Sequence, residues 1–425
     1  MTSSPLSLAF VVTLLATEFL LIHVLGGALR IAHLLAPVVV LSLLRFAPRI
    51  ASDRVFWALS GFLSVNALAA AFADSPASAF TSLALLAANM LIAVAVALIL
   101  VSRRMRPEQL VHIALAVALV GIGVGVIQTA VFQLTGLNLA LSESQEAQIA
   151  SGFSSGLRYE ANAFAKNLNV VFLLILPTLL TLNNKPRALL ITLVLLLGML
   201  TSLTRSALYG LFITLGIIYV WYFVSGQGRI IRLRVLGVVG LAAVCVLLFT
   251  VVVSHFNEYA AHKLTLFFDT SEILGGESSG LRLLSQATLL DSFLSSSKTL
   301  LLGSGWGQVH FYLGDIEMQA GGAEIVVALA YGGVLSGLFY CLYQFRAINA
   351  ARRVAAAAKG TSARATWEGL MFALIGVLVT GQINGALIAP EYWMLFGMAM
   401  SCSYQRRLFI HSNRPVTRDV GFMKA

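Results

Sequence analysis

Charge is scarce in this chain. Asp, Glu, Lys and Arg together make up 11% of its 425 residues, too little to clothe the surface of a water-soluble domain. Cysteine is rarer still: Cys245, Cys341 and Cys402 stand far apart inside apolar runs, without metal-ligand spacing. A disulfide scaffold and a CxxC centre are thereby excluded, and the three read as small core residues. No Asp-x-Asp pair occurs, and the acidic-x-acidic pair Asp315 and Glu317 is a weak metal candidate at best. Internal repeats are also missing, which argues against transporter folds built from two related halves. The N-terminus has neither a basic n-region nor a small-residue cleavage site, so 6–25 is expected to be a retained span rather than a signal peptide.

What the chain has instead is apolar length. Hydrophobic residues make up 59% and the mean hydropathy is +0.89. Runs of roughly 18 to 25 apolar residues, each enough to cross a bilayer as a helix, recur between short breaks rich in Arg, Lys, Pro or Asn. They predict an all-α polytopic membrane protein of about twelve spans, near 6–25, 28–46, 55–72, 80–102, 110–134, 166–182, 188–203, 206–224, 235–254, 319–345, 366–388 and 390–404. With both termini cytoplasmic, the inner loops take most of the 28 Lys and Arg, and the outer loops most of the 18 Asp and Glu. The net charge of +10 is then a topology signal and an attraction to anionic lipid, and calls for no nucleic acid. Residues 405–425 form a cytoplasmic tail. Two outer loops, 135–165 and 255–318, are too long for simple connectors. The second carries an amphipathic run over 281–294, suited to the membrane surface, and ends in the turn Gly303-Ser304-Gly305-Trp306-Gly307.

Besides loop lysines and Arg30, the outer side holds Arg158, Arg205 and Arg282, each in a long loop or beside a boundary. Holding a cation near hydrocarbon is costly. Snorkelling to the interface is one way to meet that cost. Bidentate binding of phosphate oxygens is another, and a lipid diphosphate would arrive at this depth. Candidate acids and bases are Glu324, which opens the apolar run 325–329, and also Glu160, Asp74, Glu391, His255, His262 and His310. Glu324 reads equally as a helix N-terminal charge, and His310 as a packing histidine. Glu18 stands out as an ionisable group in mid-span.

Three segments carry a resemblance, Gly156-Leu157-Arg158-Tyr159-Glu160-Ala161-Asn162-Ala163-Phe164-Ala165, Leu200-Thr201-Ser202-Leu203-Thr204-Arg205-Ser206-Ala207-Leu208 and Gly280-Leu281-Arg282 through Gly307, and the closing Ala330-Tyr331-Gly332-Gly333-Val334-Leu335-Ser336-Gly337 also fits. In order, spacing and shared outer location they resemble the O-antigen ligase and polymerase superfamily, membrane enzymes acting on undecaprenyl-diphosphate-linked glycans. Gly216, eleven residues after Arg205, adds little. The ligases of that superfamily place a histidine just before the helix that follows the large loop, whereas this chain has Gln319-Ala320-Gly321-Gly322-Ala323-Glu324.

The resemblance therefore implies a GT-C-like bundle and a repeat-unit polysaccharide polymerase. It would transfer a growing glycan from undecaprenyl diphosphate to a lipid-linked repeat unit on the periplasmic face of the bacterial inner membrane, with inversion and without a metal or other cofactor. Arg205 and Arg282 would bind the diphosphate with Arg158 in support, Glu324 would take the acceptor proton, and Glu160, Asn162, Trp306 and His310 would contact the substrate. Membrane lipid and a chain-length regulator are the implied partners. The alternatives are an O-antigen ligase delivering to lipid A-core and a non-enzymatic flippase or exporter of lipid-linked glycan.

Overall fold

The structure, a computed structural model, describes residues 4–16, 22–24, 27–141, 143–151, 153–158, 160–226, 229–254, 277–313, 315–358, 360–383, 385 and 389–412. Glu18, Tyr159, His255, His262 and the end of the tail lie outside them. In chain order the helices are α1 (Pro5–Ala16), α2 (Ile31–Ser42), α3 (Ala47–Ala51), α4 (Arg54–Ala71), α5 (Pro76–Val101), α6 (Pro107–Thr135), α7 (Glu143–Ala150), α8 (Ala161–Thr181), α9 (Lys185–Thr201) and α10 (Arg205–Val224). There follow α11 (Arg229–Ser254), α12 (Glu277–Leu294), α13 (Ser297–Leu302), α14 (Glu324–Ala357), α15 (Thr361–Ile383) and α16 (Pro390–Ser412). Two small antiparallel pairs, β1 (Ile22–Val24) with β2 (Gly27–Leu29) and β3 (His310–Leu313) with β4 (Ile316–Gln319), complete the described secondary structure.

Eight described helices, α4, α5, α6, α8, α10, α11, α14 and α15, are long and apolar enough to cross a bilayer; α2 with the turn and helix after it would make a ninth. The chain is a multi-pass, all-α membrane protein. Many of the large side chains left exposed, such as Val220, Leu247, Leu248 and Leu338, are those a hydrocarbon solvent tolerates.

Several expected spans are redrawn. The first does not run to 25 as one helix: α1 covers Pro5–Ala16, and Ile22–Val24 is a strand paired antiparallel with Gly27–Leu29. The second is bent by 67° between Ser42 and Leu44. The span placed at 319–345 begins later, at Glu324, because Ile316–Gln319 is spent on β4. The helix placed at 390–404 continues to Ser412, so the first part of the expected tail is helical.

At the centre, α8 packs on α15, α5 on α16, and α14 on both α4 and α15. An aromatic ladder joins these layers: Tyr343 meets Phe62 at 5.3 Å, Tyr340 at 5.4 Å and Phe396 at 5.2 Å between ring centroids. Edge-to-face contacts of this kind add about 0.5–1.5 kcal/mol each beyond area burial. Across the α4–α14 seam, the Asn66 amide donates to Ser336 Oγ at 2.9 Å and to the Phe62 carbonyl at 2.7 Å.

Inside α14 the helix breaks at Gly333, whose φ of 70° and ψ of −172° are non-helical. A break in an apolar environment frees carbonyls that have no water to bond. The glycine turn of the preceding loop takes them: Ser304 N–H donates to Ala330 O at 2.9 Å and Gly305 N–H to Tyr331 O at 3.0 Å. Contact this close requires glycine on both sides, since a Cβ at Gly303 would lie 2.4 Å from Gly332 N and one at Gly333 would lie 2.2 Å from Leu301 O. Two of the resemblance segments are thus one packed joint.

Candidate functional site

The helix order fixes which ends meet. The starts of α8, α10, α14 and α16 and the ends of α6, α9 and α15 share one end of the bundle, while the basic turns near Arg103, Lys185, Arg229 and Arg352 occupy the other. On the first end two cavities open side by side. One, of about 550 Å³, is lined by Gln148, Glu160, Asn162, Ser202, Thr204, Arg205, Ser206, Tyr209 and Arg282, among others. The second, of about 390 Å³, is lined in part by Arg282, Ser285, Trp306, Gln319, Glu324 and Tyr331. Arg282 and Ile383 border both.

The larger cavity gathers positive potential from backbone as well as side chains. Its wall includes the first residues of α8 and of α10, and the N-terminal turns of helices present unpaired N–H groups and the positive end of the macrodipole. Arg205 stands at the first position of α10, after a turn in which Leu203 has φ 51°. A left-handed conformation at a leucine costs about 1–2 kcal/mol, and Leu203 is held in it by packing on Phe153 and Phe249. Arg282 comes from α12. Burial, and then the nearby charge of Arg205, push its guanidinium below its ordinary pKa. Two cations share one polar cavity.

In the second cavity Glu324 opens α14 and is 2% exposed. Tyr340 Oη donates to its Oε2 at 2.8 Å, Gln382 Nε2 donates to Tyr340 Oη at 2.9 Å, and Ile325 N–H donates to Gln382 Oε1 at 3.3 Å. Gly381 lies against the carboxylate: a Cβ there would sit 2.5 Å from Glu324 Cδ. α12 borders this cavity, anchored by Ser285 Oγ, which donates to Gly321 O at 2.6 Å and accepts from Gly321 N–H at 2.7 Å. Trp306 is largely buried against Phe62 and Tyr331, with only its edge left to the cavity, so its first role is to fix the glycine turn.

The remaining expected residues divide. Glu160 and Asn162 sit at the mouth of the larger cavity. Arg158 does not border it; buried at 2% exposure, it pairs with Glu391 at 3.4 Å and donates to Leu15 O at 2.7 Å. Arg30 pairs with the same carboxylate at 3.1 Å. His310 is on the exposed β3–β4 hairpin, 3.8 Å from Glu317 and outside both cavities. Asp74 pairs with Lys298 at 3.3 Å on the surface. Gly216 has open space where a Cβ would stand.

Sequence reasoning passed over three side chains. Lys166 is buried in the first turns of α8 and donates to Gly385 O at 3.3 Å; a lysine near the edge of an expected span was the available signal. Gln145 of α7 is fully buried and binds the carbonyls of Gly156 and Arg158, which shapes the loop leading to the cavity. Tyr340 carried no signal beyond its place in an apolar run. Compared with protein-family models and with curated proteins, the chain matches none.

Proposed function

We propose that the chain is a glycosyltransferase of twelve spans and GT-C-like form that polymerises repeat-unit polysaccharide, such as O antigen, on the periplasmic face of a bacterial inner membrane. The observation that carries this reading is the pair of joined cavities: one cationic, holding Arg205 and Arg282 beside two helix N-termini, the other holding a buried carboxylate, with Arg282 on their common edge. A diphosphate entering the first would relieve the repulsion between two cations that now share it. The resemblance in segments 156–165, 200–208, 280–307 and 330–337 points the same way.

In this reading the donor is a growing glycan on undecaprenyl diphosphate and the acceptor is a sugar hydroxyl of a second lipid-linked repeat. Glu324 accepts the hydroxyl proton as the oxygen attacks the anomeric carbon. The bond from that carbon to the diphosphate oxygen breaks, and the electron pair leaves with the undecaprenyl diphosphate. Arg205 and Arg282 stabilise the charge that develops there, a contribution worth several kcal/mol when donors are already in place. Attack opposite the leaving group inverts the anomeric centre. Glu160 and Asn162 at the mouth contact sugar. Arg158 supports the site from behind, through Glu391, rather than by touching phosphate.

The test is to incubate purified protein with synthetic undecaprenyl-diphosphate-linked repeats and separate the products on a glycan gel. A ladder that disappears in Arg205→Ala and Glu324→Gln is the expected result. Transfer seen only after lipid A-core is added would make the protein a ligase, and an undiminished ladder in Arg205→Ala would remove the assignment of the cationic cavity.

A further inference from the structure

At the opposite end of the bundle the helix bend after Ser42 creates a second cationic feature, unrelated to the proposed transferase site. The turn Leu44–Phe46 and α3 fold across the foot of α16, and between them lies a cavity of about 240 Å³ lined by Pro48, Arg49, Ser52, Tyr404 and Arg407. Among the described residues its polar lining is two guanidinium groups, a phenol and a hydroxyl, with no carboxylate. The nearest acid in sequence, Asp53, is turned into the protein, where it caps α4 by accepting from Val55 N–H at 2.7 Å.

Arg49 is held in place before any ligand arrives. Its guanidinium lies 5.0 Å from the Phe46 ring centre and 5.2 Å from that of Tyr404, and Nη1 donates to Val101 O at 3.3 Å and to Tyr404 Oη at 3.4 Å. A planar cation stacked on two rings has lost most of its freedom, so less entropy remains to be lost when it binds an anion. Arg407 closes the other side from one turn further along α16. The turn carrying Arg103, Arg104 and Arg106, directly after Val101, adds positive field nearby.

The depth of this cavity is marked independently. Trp57, 60% exposed, donates its indole N–H to Ala51 O at 2.7 Å, the posture of a tryptophan at a membrane–water boundary. α2, which leads into the bend, leaves Leu34, Val38 and Leu41 exposed along one helix face, and Leu44 just past the bend is exposed as well. Cations at the boundary with an apolar track beside them match one amphiphile, an anion with acyl chains.

We propose that this cavity is a binding site for the phosphate of an anionic glycerophospholipid, with the acyl chains laid along α2. Arg49 and Arg407 hold the phosphodiester oxygens and Tyr404 donates to them, while Ser52, whose hydroxyl donates to Arg49 O at 3.1 Å, fixes the backbone that carries Arg49. The bend in the second apolar segment is then what builds the site, by bringing α3 beneath α16.

The full chain, purified in detergent and washed free of lipid, is titrated with phosphatidylglycerol, with phosphatidylcholine and with inorganic phosphate, and bound lipid is counted by native mass spectrometry. Wild type retains one phosphatidylglycerol under conditions that strip phosphatidylcholine, and inorganic phosphate displaces it only in large excess. Arg407→Gln, on an exposed side chain whose loss leaves Arg49 stacked, weakens retention about tenfold, the value of one charge-assisted hydrogen-bonding group. Arg353→Gln removes the same charge elsewhere at this end and leaves retention near wild type. Equal losses in the two variants, or equal retention of the two lipids, would overturn the proposal by reducing it to general attraction. Inorganic phosphate binding more tightly than phosphatidylglycerol would overturn the lipid assignment.

Discussion

Replacing Gly333 with alanine tests the joint between the glycine turn and the broken helix, on which the second cavity depends. Two costs can be worked from the geometry. At φ 70° and ψ −172°, a region that essentially only glycine adopts, a residue with a Cβ gives up about 1–3 kcal/mol. The new Cβ would also lie 2.2 Å from Leu301 O, 2.3 Å from Leu301 C and 2.7 Å from Leu302 N, all backbone atoms with no rotamer to escape into. α13 must therefore move away, loosening the Ser304 and Gly305 hydrogen bonds to Ala330 O and Tyr331 O, worth about 0.5–1.5 kcal/mol each. The expected destabilisation is about 3 kcal/mol, read as a drop in the midpoint of thermal unfolding in detergent. Gly216→Ala is the matched control: it lies inside α10 with nothing near the new methyl group, and helix propensity predicts no loss and up to about 1 kcal/mol of gain. If Gly333→Ala melts with wild type, the joint is not a constraint.

Other perturbations separate the roles of the site residues. Glu391→Gln leaves the buried Arg158 and the partly buried Arg30 beside a neutral partner and is expected to cost about 3–5 kcal/mol, seen as poor recovery of folded protein. Arg205→Ala, on the wall of a cavity, should be recovered at wild-type levels while losing polymer synthesis. Arg282→Lys keeps the charge but not the planar fork, and polymer formation should fall about tenfold or more in a timed glycan assay. Tyr340→Phe removes one hydrogen bond to the Glu324 carboxylate and should lower unfolding stability by about 1.5–3 kcal/mol; an unchanged melting midpoint would mean that the phenol is not a partner of the carboxylate.

Much of the helical framework could be read from apolar run length, because spacing alone sets where a chain must cross about 30 Å of hydrocarbon. The run at 206–224 is the helix Arg205–Val224, and that at 80–102 is Pro76–Val101. What was hidden depended on contacts between distant segments. The bend after Ser42 lies within the run expected to cross as one span at 28–46 and arises where α3 packs against α5 and α16. Within the site, Arg205 and Arg282 were legible as candidates, since both are costly charges beside apolar runs and were expected on one side of the membrane. The fate of Arg158 was not, because the sequence could not say that Glu391, the acid that holds it, would be buried beside it. Trp306 and Ala330–Gly333 were singled out as separate motifs, but their mutual packing depends on a positive φ at two glycines that spacing does not encode.

The cluster of Arg30, Arg158 and Glu391 also bears on how the chain is made. Glu391 lies 233 residues after Arg158, so at about 5–20 residues per second the arginine emerges from the ribosome roughly 10–50 s before its counter-ion. Throughout that interval Arg30 and Arg158 lack the carboxylate with which both pair in the folded chain. Arrival of α16 then completes the pairing that ties it to the N-terminal third of the protein, and a chain truncated before Pro390 is expected to form neither of these ion pairs.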